Sequence, residues 1–127
     1  MTAETKIFIF LAMVFCHIID DYCLQGILAS MKQKSWWRQN APDPLYADDY
    51  MMALAMHAFS WSFMIMIPIV VAMQFAITKQ FLVVFVCNWV VHGLTDDLKA
   101  NRHQINLCTD QTIHIWQILT TWVVMLT

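Results

Sequence analysis

Three pairs of histidine and aspartate recur four residues apart, His17/Asp21, His92/Asp96 and Asp110/His114, in a chain of 127 residues that is 60% hydrophobic and 13% charged. Residues four apart share one face of a helix, so each pair offers an imidazole and a carboxylate to the same neighbour. Ionisable groups inside apolar segments are costly to insert and, where kept, usually line a site or a pathway. A further histidine, His57, opens another apolar run. Imidazole and carboxylate around a divalent cation neutralise each other's burial cost, so the pattern points to metal binding. Four histidines and three aspartates exceed the four protein donors of a closed zinc site, which leaves two metals or one metal with a hydrogen-bonded surround. Without a thiolate pair, the donor set suits zinc, manganese or iron(II) better than copper(I), with zinc the first expectation.

Four apolar stretches must carry these residues, from about Ile7 to Leu28, Met51 to Ile77, Phe81 to Leu98 and Ile113 to Leu126. Each approaches the roughly 20 residues of a spanning helix, the last being short. The expectation is an all-α fold, a polytopic membrane four-helix bundle forming a single domain over residues 1–127. The first stretch reads as a span rather than a signal peptide, because it lacks a basic leader and carries His17, Asp20 and Asp21. Pro68 lies midway along the second stretch and predicts a kink there. A net charge of -2 without a basic patch excludes a nucleic-acid partner. Cys16, Cys23, Cys87 and Cys108 show no CxxC spacing and read as reduced thiols, with Cys108 an outlying ligand candidate near Asp110.

The connections set the topology. Loop one, Ser30 to Asp49, holds Lys32, Lys34 and Arg38, and loop three holds Lys99 and Arg102, whereas the opposite side has Lys6 and Lys79. The positive-inside rule then puts loops one and three in the cytoplasm of a bacterial inner membrane, with both termini outside. Trp36, Trp37 and Tyr46 give loop one the composition of a segment lying among lipid headgroups. Under this topology His17, Asp21, His57, His92, Asp96, Asp110 and His114 fall at one membrane face. Histidine precedes aspartate on the first and third helices and follows it on the fourth, so every histidine is the deeper partner. At 1.5 Å rise per residue, the two layers stand about 6 Å apart.

Simpler roles compete with this reading. A lone His57 is commonly a hydrogen-bonded packing residue, and one His/Asp pair can be no more than an intrahelical bond. Three pairs meeting at one level weigh against that. Met51, Met52 and Met56 beside His57 read as packing or lipid-facing residues rather than a soft copper site, since ten methionines are spread along the chain. His103, in a polar loop, reads as solvated. Asp20 and Asp97 stand about 100° round the helix from the paired aspartates, which suggests support or interfacial positions rather than ligation.

The motifs His17-x3-Asp21-x3-Gln25, the isolated His57, His92-x3-Asp96-x2-Lys99 and Asp110-Gln111-x2-His114 occur in order along nearly the whole chain. In these the sequence resembles a family of small four-helix membrane proteins of bacteria and tailed phages whose role is not established. The resemblance implies a multi-spanning membrane protein. A looser similarity, to groups described as metal-dependent membrane hydrolases, is an analogy. The chain departs from the pattern in pairing Asp20 with Asp21 and in ending its fourth helix at Thr127.

The leading functional expectation is a metal-dependent hydrolase acting on a lipid-like or membrane-embedded substrate at the cytoplasmic leaflet. Here His17, His57, His92 and His114 are ligands, and Asp21, Asp96 and Asp110 are ligands or the base that takes a proton from activated water. Lys99 and Arg102 are expected to hold a phosphate headgroup, and Gln25 and Gln111 to orient ligands or substrate. Membrane lipid is the expected partner, with a homo-oligomer as a second. The alternative is a non-enzymatic membrane protein with a structural metal site for envelope or partner binding. A proton pathway is a third idea, weakened by the apolar outer halves of the stretches.

Overall fold

The computed structural model describes residues 1–127 and is all-helical. Its elements are α1 (Ala3–Ile19), a π-helical turn (Asp20–Leu24), α2 (Leu28–Met31), α3 (Lys34–Asn40), a 3-10 turn (Pro44–Tyr46), α4 (Asp49–Ala72), α5 (Lys79–Ala100) and α6 (Leu107–Leu126). Three helical segments are long and apolar enough to cross a membrane: Ala3–Leu24, Pro44–Ala72 and Lys79–Ala100. Helix α6 has 20 residues but is not among them. Asp110, Gln111, His114, Gln117, Thr120 and Thr121 lie along it and dilute its apolar character.

Local sequence accounts for most boundaries. Thr2, Thr78 and Asn106 accept hydrogen bonds from the backbone N–H three residues on, so α1, α5 and α6 begin with side-chain caps. Helix α4 continues through Pro68. The missing N–H there costs a hydrogen bond without ending the helix, which packing on neighbours tolerates. Loop one is shorter in irregular chain than its sequence suggests, because α2, α3 and the 3-10 turn fill it. Gly26, at φ 53°, makes the left-handed turn that sends the chain from the π turn into α2.

The four long helices adjoin in the order α1, α4, α5, α6 and back to α1, and α2 and α3 lie on α4. Their outward faces are apolar, with Phe8, Phe15, Phe63, Val83, Val90 and Trp116 among the exposed side chains. Of 23 buried residues, 12 are polar or charged, the reverse of a water-soluble core and the arrangement expected where lipid is the solvent. Away from loops one and three, Ile9, Met13, Ile65, Met66, Ile69, Phe81 and Ile118 form a dry core that ends on Trp61. Beyond Trp61 the interior becomes polar. Indole N–H groups also tie helices together, Trp89 to the Ala55 carbonyl at 2.8 Å and Trp122 to the Lys6 carbonyl at 2.7 Å.

Candidate metal centre

All seven predicted donors meet at the end of the helices where loops one and three lie. Their approach starts from backbone packing. A Cβ added at Gly93 would sit 3.5 Å from the Ala58 Cβ, so small residues let α4 and α5 approach closely beside His57 and His92. The two imidazoles then come to 3.2 Å between Nε2 atoms. Asp21 Oδ1 and Asp96 Oδ2 each lie 3.4 Å from His57 Nε2. On the other side, His114 Nε2 lies 3.4 Å from Asp110 Oδ1 and 3.5 Å from Asp96 Oδ1. Two groups of converging donors result, Asp21 with His57 and His92, and His92 with Asp96 and His114.

The surround orients His114 and His17. Gln117 donates from Nε2 toward Asn88, to its carbonyl at 3.3 Å and Oδ1 at 3.4 Å. Its Oε1 therefore accepts from His114 Nδ1 at 3.2 Å, which turns Nε2 toward the carboxylates. Asn88 is held in turn by donating to Thr121 at 2.7 Å. Trp61 donates to His17 Nδ1 at 2.7 Å, so His17 Nε2 donates to Gln111 Oε1 at 3.0 Å. Gln111 Nε2 then donates to Asp21 Oδ2 at 3.2 Å and Asp110 Oδ2 at 3.1 Å. Both nitrogens of His17 are thus engaged. It orients two carboxylates through Gln111, which differs from the ligand role expected of it.

Asp20 and Asp21 are three and four residues from His17 and so flank its face where α1 passes into the π turn. Asp20 is 1% exposed, accepts from Ser60 Oγ at 2.6 Å, and points Oδ2 at His57 Nδ1 from 3.7 Å. A carboxylate behind a ligating imidazole is a recurrent support in metal sites, in line with the support position expected of Asp20. Gln25, by contrast, bonds the Asp21 carbonyl at 2.8 Å and reaches the site through that contact alone.

Two lysines enter the centre. Lys32, from loop one, is 6% exposed and donates to Asp96 Oδ2 at 2.6 Å. Lys99 donates to Asp110 Oδ2 at 2.6 Å with its side chain 28% exposed. By sequence alone Lys32 is a loop cation that bears on topology. Arg102 does not join the centre: it is exposed and paired with Asp97 at 2.9 Å. Cys108 is exposed at the start of α6, and His103 is exposed in loop three. The His114–Gln117–Asn88–Thr121 chain of hydrogen bonds was also unforeseen, since single amides in apolar runs give no spacing signal. It stops short of the end of α6, where Trp122 to Leu126 are apolar.

Donor separations test the fit to a cation. Tetrahedral bonds of about 2.0–2.1 Å place neighbouring donors about 3.3–3.4 Å apart, and five contacts in the centre run from 3.2 to 3.5 Å. Buried Asp21 Oδ1, Asp110 Oδ1 and His114 Nε2 have no hydrogen-bond partner. Acceptors facing one another in a buried site repel unless a positive charge lies between them. Four carboxylates, Asp20, Asp21, Asp96 and Asp110, against two ammonium groups leave two negative charges in excess. One divalent cation balances that number with every imidazole neutral.

The centre is closed on most sides. His57, His92, Asp96, Asp110 and His114 are at most 2% exposed. Asp21, Gln111 and Lys99 form the partly exposed edge. Cavities open elsewhere, one of 340 Å³ between α5 and α6 over Asn88, Gln117 and Thr121, another of 570 Å³ lined by apolar residues such as Phe59, Phe63 and Phe85. No family model, curated protein or solved structure matches the chain.

Proposed function

We propose that this chain is a membrane four-helix bundle, α6 included, that binds a divalent metal, zinc before manganese or iron(II), and serves as a metal-dependent hydrolase for a lipid-like substrate. In the bacterial inner membrane, with loops one and three cytoplasmic, the centre lies at the cytoplasmic leaflet. The observation that carries metal binding is the set of buried metal-ligand atoms converging without hydrogen-bond partners, His114 Nε2 on Asp96 and Asp110, and Asp21 Oδ1 on His57. The resemblance to small bacterial and phage membrane proteins agrees with this placement and rests on the four motifs alone.

His92, His114, Asp96 and Asp110 are the holding residues, with His57 beside them at 3.2 Å from His92. His17 and Gln111 keep Asp21 and Asp110 in place, and Asp20 supports His57. When bound, a divalent cation supplies Lewis-acid activation of water and polarisation of an ester or phosphoryl oxygen. Asp21, unbonded at Oδ1 and on the partly exposed edge, is the carboxylate suited to take a proton. Lys99 stands at the same edge and attracts an anionic headgroup. Trp61 and the apolar core beneath keep water from the deeper side.

A second reading, a structural metal in a non-enzymatic membrane protein, is favoured by one observation: the holding residues are almost fully buried. Elemental analysis of the detergent-purified protein tests what the two share, with metal expected in the wild type and lost in His92→Ala. A metal-free wild type would sink both. Incubating the loaded protein with extracted phospholipids and isoprenoid phosphates separates them. Hydrolysis lost in Asp21→Asn while metal is retained supports the enzyme, and unchanged lipids across the panel support the structural role.

A further inference from the structure

The two donor groups share His92, and Asp96 touches both, through Oδ2 toward His57 and through Oδ1 toward His114. A carboxylate reaching two cation positions is the arrangement of a two-metal centre. Here, however, Asp96 Oδ2 already receives the Lys32 ammonium at 2.6 Å. Lys32 is not a passing surface side chain. Its carbonyl accepts from Asn101 Nδ2 at 3.0 Å, the Lys34 N–H donates to Asn101 Oδ1 at 2.8 Å, and Trp37 Nε1 donates to the Met31 carbonyl at 2.6 Å. Loop one is thereby strapped to the end of α5 with the ammonium aimed inward.

We infer that Lys32 stands in for a second cation: it fills the Asp21–His57–His92 side of the centre with an ammonium charge and restricts the protein to one divalent ion, on the His92–Asp96–His114–Asp110 side. This rests on the metal-binding reading above and specifies its stoichiometry. Removing Lys32 frees Asp96 Oδ2 at the junction of the two donor groups; the charge lost is the same as for Lys99, so position and not net charge separates the two lysines. Lys99 differs in position. It bonds the outer oxygen of Asp110, away from the two-group junction, so its loss does not open the first group.

The test counts metal per chain in the full-length, detergent-purified protein after loading with zinc and desalting. One ion is expected for the wild type, Lys32→Arg and Lys99→Met, and two for Lys32→Met, with helical circular dichroism confirming that each variant is folded. Two ions in the wild type, or one in folded Lys32→Met, would overturn the inference while leaving metal binding intact. A metal-free wild type would overturn both. Manganese loading gives a reading without any variant: the electron paramagnetic spectrum of the wild type should be that of isolated Mn(II), and a spin-coupled pair would refute the proposal.

Discussion

The same four helices build two opposite interiors, and Trp61 is their boundary. On one side, Ile9, Met13, Ile65, Met66, Ile69, Phe81 and Ile118 pack as an apolar cluster, with Ser62 and Thr121 the buried hydroxyls beside it. On the other, histidines, carboxylates and two lysines fill the same cross-section. The apolar half needs only shape, and its side chains are exchangeable within limits of volume. The polar half needs each donor paired, because an unpaired charge there has neither water nor a neighbour to stabilise it. Stability is therefore spread over the dry half, whereas the polar half is specific and depends on few residues. Trp61 belongs to both: its ring stacks on His92 at 4.2 Å between centroids, and its N–H holds His17.

The sharpest break in this contrast is Asp96→Ala. It strands Lys32 as well as removing a donor, so we expect metal lost to background and a stability loss of about 3–5 kcal/mol, read by elemental analysis and thermal denaturation in detergent. Ile65→Ala, in the dry half, should cost about 2–5 kcal/mol by the same melt yet leave metal per folded chain unchanged. Loss of metal there would show that the halves are not separable. Chelation of the wild type should lower its stability by about 2.7 kcal/mol if free metal stood at a hundred times Kd, with no such shift in His92→Ala. Trp61→Phe keeps the ring and deletes the N–H, for about 1 kcal/mol and partial loss of metal through His17 and Gln111. Arg102→Ala should change stability by less than about 0.5 kcal/mol and leave metal untouched, since its only ion pair is exposed.

The donors were legible in the sequence because ionisable residues in apolar runs stand out singly and at helical spacing. His17, His57, His92, Asp21, Asp96, Asp110 and His114 are all brought together at the end of the helices where loops one and three lie. Their division of labour was not legible. His17 and His92 have the same His-x3-Asp signature, yet one meets an indole N–H from α4 and the other does not. Lys32 and Arg102 are both loop cations, and only Arg102 was expected at the site. The first is drawn inward by the strap to Asn101, and the second meets Asp97 in solvent. Asn88 and Gln117 carried no periodicity at all, and only their mutual contact across α5 and α6 makes them supports of His114.

The sequence by itself determined an all-helical chain with segments apolar enough for a membrane and a set of metal-type donors at one end, because hydropathy and helical period are local properties. Tertiary structure decided which donors are free. Whether a nitrogen or oxygen offers its lone pair depends on who bonds the other side of the same group, and those partners lie 44 residues away for His17 and Trp61 and 64 for Lys32 and Asp96.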